Sequence, residues 1–267
     1  MTDNGQQDRP PVPPQRSASP DQGTANVPEG LVTSVVDLVG TGPVELGAYT
    51  VADLTAVDAI VDFLAARPSD EVLAEAVRSL AARKLLVAGS GAEQVEVRGD
   101  LGIAAAFQQR ARMVMDARAT GTQPGEPWRI LLLPQPEQIT MMIRIDALGV
   151  HEISLRKLGE ALKLLADWLP RGRAADRDHG RDAEAVISSA ERSALVTVTQ
   201  YTTEGTAEIA GASTDLVLAR RDGQLHAFIP DPDDAGKLRP QSLNGQSTAD
   251  ALGGLLSNAA AAMAQAR

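Results

Sequence analysis

Three histidines, His151, His179 and His226, are the side chains best suited to proton transfer or metal binding near neutral pH. His151 and His226 fall in stretches that read as strands, where a histidine usually serves as a hydrogen-bonded structural side chain. His179 stands in RGRAADRDHGRD (171–182), close to Asp176, Asp178 and Asp182. A carboxylate–histidine metal cluster there would need a rigid surrounding shell to orient its ligands. The segment has no apolar residue larger than alanine, so it reads instead as a solvated, charged loop. A Ser-His-Asp triad lacks its Gly-x-Ser-x-Gly elbow, and there is neither a Walker loop nor a His-Glu-x-x-His pair. Gly40-Thr41-Gly42-Pro43 lacks the third glycine and the following helix of a dinucleotide fingerprint, and reads as a turn. The carboxylates are scattered, and no pair is singled out. The expectation is a protein with no catalytic residue, no metal and no cofactor: a non-enzyme that works by binding.

The absence of cysteine excludes disulfides, thiolate metal sites and a cysteine nucleophile. A formal net charge of −10 repels nucleic acid and anionic lipid unless a basic patch is built locally. No apolar run approaches the ~20 residues that span a bilayer. The first residues, MTDNGQQDRPPVPPQRS, have neither the basic nor the apolar part of a secretory signal. A cytoplasmic protein that neither inserts into a membrane nor binds nucleic acid is expected.

The elements that would position any site follow from periodicity. Residues 1–27 are rich in Pro, Gln, Asp and Gly and are expected to be a disordered tail, with Pro10 to Pro14 favouring polyproline II. Leu31 to Leu38 reads as a strand or the start of a helix. Thr50 to Ala66 carries Leu54, Val57, Ile60, Val61 and Leu64 at helical spacing, and Arg67-Pro68 stops it. Ser69 is placed to cap a second helix with the stripe Val72, Leu73, Ala76, Val77 and Leu80. Leu85 to Val87 and Val95 to Val97 then flank Gly89-Ser90-Gly91 as a hairpin. Two helices and a glycine-tipped hairpin suggest a winged helix, but a DNA-reading version needs a basic second helix and wing, and both carry mixed charge here. Leu101 to Arg118 reads as a further helix.

Trp128 to Leu133, Ile139 to Asp146 and Val150 to Ile153 read as three strands of an antiparallel meander. Ser154 is placed to cap the helix that follows, with a stripe of Leu155, Leu158, Ala161, Leu162, Leu165, Trp168 and Leu169, Leu162 and Leu165 lying at its centre. Residues 171–193 are read as a charged linker. Ala194 to Thr202 is a strand, with Val196, Val198 and Gln200 on one face and Leu195, Thr197 and Thr199 on the other. Thr206 to Ile209 is placed to pair with it. Thr214 to Arg220 and Gln224 to Ile229 make a hairpin around Arg221-Asp222-Gly223. After an acidic loop (230–240), Ser247 and Asp250 form a capping box for a last helix with the stripe Leu252, Leu255, Leu256 and Ala259. The fold class is α+β: antiparallel sheet-plus-helix units behind a helical N-terminal part. The order of hairpin and capped helix occurs twice, at 139–169 and 214–263. The divisions are a tail (1–27), an N-terminal half (28–170), the linker (171–193) and a C-terminal half (194–267), either two related half-domains or one pseudo-symmetric domain.

This layout resembles the EspG family, the cytosolic chaperones of actinobacterial type VII (ESX) secretion. The resemblance rests on SLAARKLL (Ser79 to Leu86), on VHEISLRKLGEALKLLADWLP (150–170) and on TDLVLARRDGQLHAFIP (214–230) with the helix after it. It covers about residues 30 to 265, and it carries no binding residue over. The long proline-rich tail and the charged segment at 171–193 depart from the family's pattern. The resemblance implies a pseudo-two-fold α+β chaperone whose partners are helical secretion substrates. The alternative is a winged-helix regulatory protein with a sensory C-terminal half.

Overall fold

One order of elements is used twice along the chain: a helix, a meander of four strands, and a second helix. The computed structural model describes residues 29–57, 68–89, 95–174, 182–204, 207–234, 236–243 and 246–265. A helical N-terminal part comprises α1 (Glu29–Thr41), β1 (Val44–Tyr49), α2 (Val51–Ala56), α3 (Asp70–Ala82) and the hairpin of β2 (Leu86–Ala88) and β3 (Val95–Val97). The first repeat follows as α4 (Gly99–Arg110), β4 (Met113–Thr120), β5 (Arg129–Pro134), β6 (Ile139–Ile145), β7 (His151–Lys157) and α5 (Leu158–Trp168). After the two-residue β8 (Arg173–Ala174), the second repeat is α6 (Ala183–Ser188), β9 (Arg192–Glu204), β10 (Ala207–Arg221), β11 (Gln224–Pro230), β12 (Leu238–Pro240) and α7 (Thr248–Gln265).

Both meanders belong to one ten-stranded sheet, ordered β1-β7-β6-β5-β4-β9-β10-β11-β12, with β8 added to β11. The first strands of the two repeats, β4 and β9, pair antiparallel at its centre, from Met113 opposite Gln200 to Thr120 opposite Ser193. The chain therefore runs outward from the centre in both directions. This gives the sheet a pseudo-two-fold arrangement. The N-terminal and C-terminal halves share a sheet instead of forming separate cores.

Side chains on a strand alternate between faces, which explains the two layers. On the first face, Leu131, Leu133, Met141, Ile143, Ile153 and Leu155 pack with Val35 and Val39 of α1, Leu54 of α2, Leu80 of α3, and Leu101 and Phe107 of α4. On the second face, Ile130, Leu132, Met142, Val196, Val198, Leu216 and Leu218 pack with Ala161 and Leu165 of α5 and with Leu252 and Leu256 of α7. The small helix α6 covers Ala219 and Phe228 at the far end of the first face. Strands β5 and β6 are buried on both sides, and so their sequences RILLLP and ITMMIRI are nearly unbroken apolar runs. In β9 the face carrying Val196, Val198 and Gln200 is the buried one.

Several boundaries differ from the sequence reading. Leu101 to Arg118 is not one helix: α4 stops at Arg110, Ala111 is extended, and Met113–Thr120 is the central strand β4. Its alanines and methionines favour a helix locally, but a place between β5 and β9 overrides that preference. The meander consequently has four strands where three were expected. Ser154 is not a helix cap. The ladder with β6 continues to Lys157, opposite Ile139, so Ser154 lies buried within β7 and accepts from Arg156 Nε at 3.0 Å. Helix α5 starts at Leu158 without a side-chain cap. Leu155 then belongs to the strand, Ala161 and Leu165 are the buried centre of α5, and Leu162 sits at the rim of that core. Leu31 to Leu38 lies inside α1, and β1, which the sequence reading did not separate from its surroundings, is the edge strand. Ser69 holds the N-cap position of α3 without a side-chain hydrogen bond, and Val72 and Val77 of its expected stripe are exposed. The stretch read as linker contains β8 and α6. Residues 207–209 pair with β9 as expected, but they are the start of one strand, 207–221, with a bulge between Ala210 and Ser213; Thr206 lies outside the described residues. Also outside them are residues 1–28, residues 58–67 of the expected second half of the helix from Thr50, and His179 with Asp176 and Asp178.

The capping box at Ser247 is formed, Asp250 N donating to Ser247 Oγ at 3.2 Å and Ser247 N to Asp250 Oδ2 at 3.3 Å. A second box, not read from the sequence, closes α2: Thr50 Oγ1 accepts from Asp53 N and Asp53 Oδ2 from Thr50 N. The hairpin turn expected at Asp222-Gly223 is present, both residues having positive φ.

Candidate interaction face

Two of the three histidines lie within the described residues, and the sheet keeps them apart. His151 opens β7 and His226 lies in β11, six strand steps away. At about 4.8 Å per step that is roughly 29 Å, far beyond any shared chemistry. Both are buried. His226 stacks near Phe228, ring centroids 6.5 Å apart. His151 Nδ1 lies 2.9 Å from the Gly149 carbonyl. Burial holds its imidazole below the ordinary pKa. The Gly149 carbonyl opposes this, the Arg129 cation adds to it, and Asp146 and the Tyr49 carbonyl pull the other way. Among the described residues no group of three or more His, Asp or Glu side chains is placed to hold a metal ion.

The first face changes character at the centre of the sheet. One row across it reads Gly47, Ile153, Ile143, Leu131, Asp116, Thr197 and Asp215, from β1 to β10. The apolar members lie under α1–α4. The polar members, Asp116, Thr197 and Asp215, are half-buried. Asp116 marks the boundary. It accepts from Arg129 Nε at 2.9 Å and Arg129 Nη2 at 2.8 Å, and from Arg118 Nε at 3.1 Å and Arg118 Nη2 at 2.8 Å. Arg129 is buried and locked, as a bidentate guanidinium–carboxylate pair should be. Arg118 is half exposed and offers its remaining edge to solvent. Beyond them, Leu195 (38% exposed), Thr197, Thr199, Ser213 and Asp215 continue the face. One carboxylate oxygen of Asp215 is shielded from solvent with no hydrogen-bond partner among the described residues. This surface has hydroxyls, a guanidinium edge, a carboxylate and one leucine.

No residue of this face was singled out from the sequence. The signal is present in MVMDARAT, where Asp116 and Arg118 alternate with Met115, Ala117 and Ala119, and in the Val/Thr alternation of β9. Helical periodicity over Leu101 to Arg118 masked the first of these.

In the unit near the N-terminus, β2 pairs with β3 after α2 and α3 in the chain. Within it Arg78 pairs with Glu75 on α3 at 2.9 Å, and Arg98 with Glu96 beside the hairpin at 2.6 Å. No helix of the described residues is long and apolar enough to cross a membrane. Neither a protein-family model nor a curated protein matches the chain.

Proposed function

We propose that this chain is a non-catalytic, cytosolic binding protein that acts as a chaperone for helical substrates of type VII (ESX) secretion. The observation that supports it best is the architecture: two helix–meander–helix halves joined through β4 and β9 into one pseudo-two-fold sheet, the arrangement that the resemblance to the EspG family implies. The half-polar first face around Arg118, Leu195 and Thr197 is the surface it offers a protein partner. The test is co-expression of the full chain with the small helical secreted proteins of its own host, followed by size exclusion. A one-to-one complex that Leu195→Arg abolishes, in a variant that melts as the parent does, is the expected result. Failure to form a complex with any of them would overturn the reading. The chain order of α2, α3, β2 and β3 favours the second reading, a regulatory DNA-binding protein. A salt-sensitive gel shift with the host's own promoter DNA would support that reading.

A further inference from the structure

Among the described residues, strand β1 is paired on one side only. Its partner there is β7, and a bulge between Glu45 and Gly47 interrupts that ladder. Its last residue, Tyr49, faces His151 across the pair. His151 is 1% exposed. The Gly149 carbonyl can only accept, so Nδ1 of His151 carries the proton and Nε2 of the neutral ring is bare. Nε2 is shielded from solvent without a hydrogen-bond partner. The charged groups around the ring come from three directions. Arg129 of β5 shares its row, across Ile145 of β6. Asp146 begins the turn before β7, where its carboxylate is occupied by the amides of Leu148 and Val150. On β1, the Tyr49 hydroxyl donates to the Leu46 carbonyl, and Arg83, Asp53 and Asp100 act on that phenol from α3, α2 and the start of α4.

We propose that His151 is an acid-sensitive latch on the β1 edge: proton uptake at Nε2 loosens β1 and the capped helix α2 that follows it, and frees the edge of β7, while the rest of the sheet stays folded. A proton added there places a second cation in the row of Arg129, inside the layer of α1–α4. The folded protein disfavours the charged imidazole, so the neutral ring contributes stability in full above the ordinary value of about 6.5. That contribution is lost as the pH falls below it toward the lower folded value. The loss is expressed at β1 because an edge strand with one partner opens before strands with two.

Hydrogen exchange of the full chain, corrected for intrinsic rates and compared between pH of about 7.5 and about 5, tests this. Amides of 44–49 and 51–56 should lose protection several-fold relative to β5 and β6. His151→Gln, which does not titrate, should show no such difference. In the parent protein, the loss of protection should begin near the ordinary imidazole value and level off near the midpoint of the His151 ring followed by NMR, a comparison that needs no variant. Protection of β1 that stays constant or rises in acid would overturn the proposal, and a rise is what a bond from protonated Nε2 to the Tyr49 carbonyl would cause. The same loss in His151→Gln, or a loss that does not level off near the ring's own midpoint, would also overturn it.

Discussion

The two halves share an order of elements and differ in what lies on the first face. In the N-terminal half that face carries Leu131, Leu133, Met141, Ile143, Ile153 and Leu155 beneath four helices. In the C-terminal half the same face carries Leu195, Thr197, Thr199, Ser213 and Asp215; Tyr201 joins the core of the first half, and α6 covers the far end. The second face is alike in both, since α5 and α7 lie side by side on it and join the halves into one core. One scaffold therefore has one half whose first face is apolar and filled, and another whose first face is partly polar and less covered. The Asp116–Arg129 pair sits where one gives way to the other.

Truncating an equivalent aliphatic side chain on each half breaks that comparison most sharply. Leu131 is fully buried, and Leu131→Ala should cost about 2–5 kcal/mol through lost transfer energy and the cavity left behind. Leu195 lies two strands away on the same face, and Leu195→Ala should change stability by no more than about 0.5 kcal/mol. Urea denaturation midpoints measure both. Similar losses would mean that the C-terminal half is covered as well.

A smaller effect separates the two closing helices. Helix α7 begins with the capping box of Ser247 and Asp250, whereas α5 begins at Lys157 with no side-chain cap. Ser247→Ala should cost about 1 kcal/mol. Ser154→Ala should leave the start of α5 unchanged, because Ser154 lies three residues before the first cap position, in the middle of the β7 ladder. Exchange protection at the first turns of α5 and α7 distinguishes the two, and equal fraying of both helices would return Ser154 to the role the sequence suggested.

Legibility in the sequence follows the same division. The α+β class, the strands β5, β6 and β9, the Asp222-Gly223 hairpin and the capped α7 were all readable, because each has a local cause: an apolar run, a period of two, a turn that needs positive φ, or a reciprocal cap. The errors lie where tertiary pairing decides. Strand β4 looks helical from its alanines and is extended because β5 and β9 flank it. Ser154 looks like a cap and is a strand residue because β6 pairs as far as Lys157. Edge strand β1 is short and holds Gly47 at a positive φ, so no regular alternation announces it. The interaction face was illegible for a related reason. Asp116, Thr197 and Asp215 are far apart in sequence, and only the β4·β9 and β9·β10 registers place them in one row.

That central register can be measured directly, because the chain has no cysteine of its own. Ala119 of β4 and Ala194 of β9 are paired and buried on the second face. Cysteines replacing both should close into a disulfide on mild oxidation, seen as a shift on a non-reducing gel that reductant reverses. Cysteines at Ala119 and Leu195 point to opposite faces and should not. A disulfide in the first variant and none in the second is the result expected of two halves joined through β4 and β9. No disulfide in the first, or an equally efficient one in the second, would contradict it.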